Sequence, residues 1–558
     1  MTLPKKLLAL TASWALLLQG AACASGINPL ENKDIVTSSI IPHVTIQDGF
    51  QASCVCKKWN EIWNSNAAWR SYVQRIPGYK RPLESEKKKH PGTKIDYKAV
   101  FRTIVTPRFT LIGTLDSRFH GRLTAVSADG QVVVGEASDS QANNAFRAFR
   151  WTLEDGLHFL GILKGGSYSS ATAVSADGQV VVGDAKDGQE NNAIRAFRWT
   201  PEQGLYSLGT LNGGNYSAAK AVSADGRVVV GYASDGQANN AHRAFIWTLE
   251  EGLHSLGTLN DGNHSRPTAV SADGRVVVGE ASDGQENNAH RAFIWTLEEG
   301  LHSLGILNGG DYSEARAVSE DGQVVVGYAK DGQANNVFRA FRWTPVQGLH
   351  SLGTLKGGSY SKAGAVSADG QVVVGDAQVG QGNNAFRAFR WRPEQVLHFL
   401  GILKGGSYSK AGAVSADGQV VVGDAQVGQG NNAFRAFRWG PEQVLHFLGI
   451  LKGGIYSKAR AVSADERMIV GQASDGQESN ATRAFIWFNE LGMISLQEAL
   501  VSILPPHVTL GSAADISADG TIVIGQGIDS IACSKFFWSA YVPRYNVLAQ
   551  EGINLLQQ

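Results

Sequence analysis

The chain has 558 residues, enough for several ordinary domains, and its 50 basic and 50 acidic side chains cancel to a formal net charge of zero. That balance draws it neither to nucleic acid nor to an anionic membrane, so a nucleic-acid partner is set aside. Its four cysteines, Cys23, Cys54, Cys56 and Cys533, lie outside the regular 48-residue repeats of the chain, so hydrophobic packing and not disulfides must hold those repeats together.

At the N-terminus, Lys5 and Lys6 precede an apolar run from Leu7 to Leu18 and then the small residues Ala22-Cys23-Ala24. This is the layout of a secretory signal over residues 1–24, with cleavage after Ala24. Gly20-Ala21-Ala22-Cys23 also has the shape of a bacterial lipoprotein box, which leaves a lipid tether open. The apolar run is short for a bilayer, and no later stretch reaches the roughly 18 apolar residues of a spanning helix. The expectation is a secreted chain, or one held by lipid at a bacterial surface, with no transmembrane segment.

Residues 25–73 carry Ile35, Ile40, Ile41, Val44, Ile46, Val55, Trp59, Ile62 and Trp69 at the spacing of short amphipathic helices. From the residues alone this is a small helical module, its tryptophans in a core, that caps one end of the repeat array. The run Ala52-Ser53-Cys54-Val55-Cys56-Lys57-Lys58-Trp59-Asn60-Glu61-Ile62, followed by Trp69-Arg70, also resembles the eukaryotic F-box: Val-Cys, a basic pair, Trp-Asn, and a second Trp ten residues on. The resemblance implies that Leu30, Ile35, Ile41 and Val55 face the Skp adaptor of a cullin-RING ubiquitin ligase. Cys56, Trp59 and Trp69 would hold the helices together. Residues 74–108, with Lys87-Lys88-Lys89-His90, predict a solvated spacer.

Beyond the spacer, Ser-Ala-Asp-Gly or a close variant begins at Ser127, Ser175, Ser223, Ser271, Ser319, Ser367, Ser415 and Ser463, always 48 residues apart. A looser ninth copy begins at Ser517. Fixed spacing means one structural unit per copy. In the second copy, Ala171 to Val174 predicts a strand, Asp177-Gly178 a two-residue hairpin turn, and Gln179 to Gly183, with its three valines, a strand buried on both faces. Ala193 to Trp199 alternates as a third strand, and Gly204 to Gly209 makes a fourth.

Four strands in 48 residues is the size of one β-propeller blade. The predicted fold is therefore mainly β: a large propeller of eight or nine four-stranded blades over residues 109–540, with the helical module before it and a tail at 541–558. Phe109 to Leu115 reads as a fourth strand without its first three, and Ala514 to Trp538 as three strands without a fourth, so the two ends can complete one blade. Eight blades with a degenerate cap, or two smaller rings, stay open.

The phrases Leu208-Gly209-Thr210-Leu211-Asn212-Gly213-Gly214, Ala221-Val222-Ser223-Ala224-Asp225-Gly226 and Val228-Val229-Val230-Gly231 resemble the bacterial HAF-type extracellular repeat family. The family's His-Ala-Phe is here Arg-Ala-Phe, as at Arg147-Ala148-Phe149. The resemblance implies export and a repeat scaffold without catalytic activity.

Few residues in the array invite chemistry. Asp-Gly-Gln-x-Asn-Asn, as at Asp235 to Asn240, offers oxygens to calcium, but turn formation explains it. The arginines Arg147, Arg195, Arg243, Arg291, Arg339, Arg387, Arg435 and Arg483 suit pairing with a neighbouring blade's Asp better than a channel-lining ring. The histidines His158, His254, His302, His350, His398 and His446 sit a blade apart on fourth strands, too far for one metal site. No enzyme activity, cofactor or metal is expected. Residues that change while the framework stays fixed cluster after the Gly-Gly pair, in loops predicted on one rim. There Tyr168, Tyr216, His264, Tyr312, Tyr360, Tyr408 and Tyr456 are candidate anchors for a protein partner. The two resemblances together imply a monomeric, non-catalytic adaptor: the F-box-like module recruits host ubiquitin ligase machinery, and the propeller holds a target, after delivery to host cytoplasm. The alternative is an exported surface protein that binds host protein or glycan.

Overall fold

The computed structural model describes Arg70 and residues 108–542 apart from short internal stretches, the longest being 113–120. The expected signal segment, the helical module with Leu30, Ile35, Ile41, Val55, Cys56, Trp59 and Trp69, the spacer and the tail beyond 542 lie outside the described residues.

In the third repeat the chain forms strands Ser217–Val222, Val229–Asp235, Ala241–Thr248 and Gly252–Gly257. They pair antiparallel in sequence order. Val229 and Val230 on the second strand and Phe245 on the third are completely buried. Both faces of the blade are covered, so the second strand reads as a continuous apolar run. Gly231 ends that run for a steric reason. It pairs with Phe245, and a Cβ there would stand 2.1 Å from the Ala218 carbonyl oxygen and 2.7 Å from the Phe245 ring. Val-Val-Val-Gly and Arg-Ala-Phe are thus two halves of one packing unit.

Each apolar cluster joins the face of one repeat to the face of the next. Val182, Ala196 and Leu208 of the second repeat pack against Val229, Phe245 and Trp247 of the third. The same seam closes the array on itself, where Ile112, Ile524 and Phe537 meet Val133, Phe149 and Trp151. The closing sheet takes Arg108–Ile112 from the start of the array and Val508–Ile516, Ile522–Asp529 and Ser534–Tyr541 from its end. Among the described residues there are nine four-stranded sheets, so the eight-blade and two-ring alternatives fall away. We number blades 1 to 8 by the repeats starting at Gly121, Ser169, Ser217, Ser265, Ser313, Ser361, Ser409 and Ser457, with blade 9 the composite.

The Ser-Ala-Asp-Gly turn differs from the predicted two-residue hairpin. It spans residues 223 to 228, closed by Ser223 N–H on the Val228 carbonyl at 2.9 Å. The Ser223 hydroxyl donates to Asp225 at 2.6 Å and accepts from the Val228 N–H at 3.0 Å. Only Gly226 is left-handed, with φ of 73°. The wider turn frees its second residue to pair outside its own blade. Ala224 N–H donates to the Ala272 carbonyl at 2.9 Å, and the same link recurs from Ala128 round to Ala464 and Ala518. Eight of nine links are made among the described residues, the exception lying between Ala416 and Ala464.

Blade 8 explains the exception, because Glu466 stands where the other turns have glycine. At Gly178, Gly226 and Gly274 a Cβ would come within 2.3–2.6 Å of a valine Cγ2 on the preceding blade. Glu466 has that Cβ, holds a left-handed φ of 62°, and reaches back to within 2.7 Å of the Ser415 hydroxyl. At the turns, blades 7 and 8 are therefore linked by a side-chain hydrogen bond where the other blades are linked by backbone. Among the described residues, no helix is long and apolar enough to cross a membrane.

Candidate functional site

The two ends of the inner strands are chemically different. One carries the ring of hydrogen-bonded Ser-Ala-Asp-Gly turns. At the other, three positions in each of blades 2 to 8 lie near one another: the residue before the inner strand, one on the second strand, and one at the start of the third. In blade 3 these are Tyr216, Tyr232 and His242, brought together by the pairs Tyr232↔Ala244 and Ser234↔His242. Tyr216 and Tyr232 stack at 5.7 Å, with His242 edge-on at 5.5 and 5.3 Å. Blade 5 repeats this with Tyr312, Tyr328 and Phe338, blade 6 with Tyr360 and Phe386, and blade 7 with Tyr408 and Phe434.

Contacts between blades join some of these groups into a belt. His290 of blade 4 stacks on Tyr312 of blade 5 at 5.5 Å, and Phe338 of blade 5 meets Tyr360 of blade 6 at 6.1 Å. Cations sit over the rings. Lys362 Nζ lies 4.0 Å from the Tyr328 centroid and 4.7 Å from that of Phe338. Arg266 covers Tyr232 at 5.3 Å, and Lys458 covers Phe434 at 5.3 Å. Such contacts hold a long cationic side chain against apolar surface. Carboxylates complete the rim. Burial pushes Asp184 up to about 6, with Lys220 pulling the other way. Burial raises Asp376 and Asp424 as well, against opposing lysines. Burial, then repulsion from His290, holds the His264 imidazole below its ordinary value. Between blades 7 and 8 the belt opens into a pocket of about 390 Å³ lined by Tyr408, Lys410, Asp424, Phe434, Lys458 and Arg460.

All seven predicted anchors lie on this rim, one in each of blades 2 to 8, and each is half-buried. They are not on free loops, as their position after Gly-Gly suggested. The Tyr216 carbonyl accepts from the Ser234 N–H at 2.8 Å, and Tyr168, His264, Tyr312, Tyr360, Tyr408 and Tyr456 do the same with their second strands. The tyrosines are therefore pinned to the sheet edge just before the inner strand and held by neighbours: the Tyr168 hydroxyl reaches Glu136 at 3.2 Å, and Gln472 donates to Tyr456 at 3.0 Å. Their partners on the second and third strands were missed. The variable residue inside Val-Val-Val-Gly-x-Ala (Met-Ile-Val-Gly-x-Ala in blade 8), which is Asp184, Tyr232, Glu280, Tyr328, Asp376, Asp424 or Gln472, was the available signal.

Other expectations are corrected or met by the same geometry. Among the described residues, the contacts seen for Arg147, Arg243 and Arg483 are not with a neighbouring blade's Asp. Arg147 donates to the Ser167 carbonyl at 2.6 Å and Arg243 to that of Gly262 at 3.1 Å, clamping the linker into the next blade, while Arg483 pairs with Asp475 of its own blade at 3.5 Å. A guanidinium with five donors can satisfy a loop of carbonyls that one carboxylate could not serve. The Asp-Gly-Gln loops are turns: Asp235 accepts from Gln237 N–H at 3.1 Å and Asn212 Nδ2 at 2.9 Å, and Asn239 and Asn240 are left-handed. The fourth-strand histidines lie on the outer strands, as His254 opposite Ile246 and His302 opposite Ile294. A different set gathers on the rim, where His264, Glu280 and His290 place potential ligand atoms within 4.8 Å of one another, a cluster the sequence did not reveal.

Fold and rim together define a nine-bladed, tandem-repeat β-propeller with an aromatic, charge-lined rim. No family model matches the chain, and no curated protein matches it. Similar solved structures include TolB from Acinetobacter baumannii, 13% identical, covering 66% of this chain and 90% of that one at a TM-score of 0.29. A puromycin-hydrolysing peptidase of Mycobacterium tuberculosis is 12% identical over 70% of this chain and 55% of that one, at 0.36. A eukaryotic initiation factor is 10% identical over 67% and 86%, at 0.42.

Proposed function

We propose that the protein is a non-catalytic adaptor whose propeller holds a protein target on the aromatic rim. Its N-terminal segment, which resembles an F-box, recruits the Skp and cullin machinery of a host cell after export. The observation that carries this reading is the contrast between framework and rim. Val-Val-Val-Gly, Ala-Phe and the turn residues hardly change from blade to blade, whereas the rim positions alternate among Tyr, Phe, His, Lys, Arg, Asp and Glu. Aromatic and arginine side chains fixed by packing are what protein interfaces use as anchors. The order along the chain, F-box-like segment and then propeller, suits a protein that engages an adaptor through the first and a target through the second. The test is co-elution of the full chain with a purified eukaryotic Skp adaptor. A stable complex that Ile35→Asp and Val55→Asp both abolish is expected, and failure of the folded wild-type chain to co-elute refutes the adaptor reading.

One observation favours the second reading, an exported surface protein that binds host protein or glycan. In the pocket between blades 7 and 8, the rings of Tyr408 and Phe434 stand beside Asp424 and Lys458, a mixture of flat apolar faces and polar groups that suits a sugar. Saturable binding of an oligosaccharide by the full chain, lost in Tyr408→Ala and Phe434→Ala, would select it.

A further inference from the structure

The rim of blade 4 differs in kind from its neighbours. The three positions that hold Tyr216, Tyr232 and His242 in blade 3, or Tyr360, Asp376 and Phe386 in blade 6, hold His264, Glu280 and His290 in blade 4. Of blades 2 to 8, only blade 4 has histidine or a carboxylate at all three. Antiparallel register sets them side by side, through the pairs Arg266↔Glu280 and Ser282↔His290. The imidazoles of His264 and His290 lie 4.7 Å apart, and one ring nitrogen of His290 is 3.2 Å from Glu280.

We propose that His264, Glu280 and His290 form a binding site for a divalent transition-metal ion, zinc by preference, on the rim of the propeller. Two imidazoles and a carboxylate are the donor set of zinc sites that keep a fourth position open. Their potential ligand atoms lie within 4.8 Å of one another. Bonds of 2.0–2.1 Å in a tetrahedron require about 3.4 Å, a closure that side-chain rotation supplies at half-buried positions.

The surroundings favour the same assignment. His264 Nδ1 is 3.0 Å from the Asn263 side-chain oxygen, which also accepts from the Ser282 hydroxyl at 2.9 Å. An Nδ1–H held by an amide oxygen turns the other ring nitrogen's lone pair outward, the outer-partner arrangement of metal-binding histidines. Tyr312 of the next blade stacks on His290 at 5.5 Å and 18°, giving that imidazole an apolar backing. Arg266, the cross-strand neighbour of Glu280, lies over Tyr232 of blade 3. The open fourth position is suited to water or to an acidic or imidazole side chain of a bound protein.

The test is titration of the full chain with zinc chloride by calorimetry, and with cobalt chloride followed by visible absorption. His290→Phe and Glu280→Gln are informative variants, because Phe386 and Gln472 already occupy those positions in blades 6 and 8. Both variants should therefore fold, which circular dichroism without metal checks. Wild type is expected to bind one zinc ion at this site and to show the intense absorption of four-coordinate cobalt. Each variant should lose that absorption and weaken zinc binding at least about 100-fold, while Asn263→Ala should weaken it about 10-fold. His242→Phe in blade 3 should leave binding unchanged. Absence of uptake by wild type, or equal uptake by wild type, His290→Phe and Glu280→Gln, overturns the proposal.

Discussion

The backbone N–H of Ala518 donates to the carbonyl oxygen of Ala128 at 3.3 Å, joining the last turn of the array to the first. Closure is thus written twice: in this turn-to-turn link, and in the strand Arg108–Ile112 that completes blade 9.

Ile112 is fully buried in the seam between blades 9 and 1. Ile112→Ala should cost about 2–5 kcal/mol, the usual range for a truncated core aliphatic. Guanidinium unfolding measures this, and limited proteolysis should show earlier cleavage next to blade 9. An unchanged midpoint would mean that the ring does not depend on its borrowed strand.

Arg390 of blade 6 holds its guanidinium 4.9 Å over the ring of Trp439 in blade 7, and both side chains are buried. The same arginine-over-tryptophan contact spans Arg150 and Trp199, Arg198 and Trp247, and Arg342 and Trp391. A double-mutant cycle on Arg390→Met and Trp439→Leu should return a coupling of about 1 kcal/mol. A coupling near zero would assign both residues to burial alone.

Two glycines should respond differently to alanine. Gly231 leaves no room for a Cβ against the Ala218 carbonyl and the Phe245 ring, and Gly231→Ala should cost about 3 kcal/mol, toward the upper end for overpacking. At Gly252 a Cβ would meet open space but φ is 76°, so Gly252→Ala should cost only about 1 kcal/mol of left-handed strain. Thermal unfolding of the two variants side by side checks the order.

Glu466→Gly should stabilise the chain by about 1 kcal/mol, by removing a left-handed side chain from a position that fits glycine. It should also change the pH profile. Burial, then the hydrogen bond to Asp417, raises the Glu466 carboxyl from its ordinary 4.5 to about 7. The folded chain keeps this proton to higher pH than the unfolded chain does. The contribution is therefore fully present below about 4.5 and is lost as pH rises toward about 7. Unfolding midpoints across that window should fall for wild type relative to Glu466→Gly, and parallel profiles would deny Glu466 this role.

Much of the framework was legible because a repeated sequence states each local rule many times over. Spacing, the valine run and the alternation of Ala193 to Trp199 placed four strands per unit, and the unmatched ends, Phe109 onward and Ala514 onward, implied a shared blade. Blade number was not legible, because it depends on the angle that packing such as Val182 against Phe245 sets between neighbouring sheets. Nor was the true width of the Ser-Ala-Asp-Gly turn, whose second residue pairs with a blade 48 positions away. Along the chain Tyr312, Tyr328 and Phe338 are unrelated positions, and His264, Glu280 and His290 equally so. Sequence by itself determined the strands and their apolar faces, since these follow from neighbours a few residues apart. Only the tertiary structure decided which side chains share the rim, because antiparallel register and contact between adjacent blades superimpose residues that the linear order keeps apart.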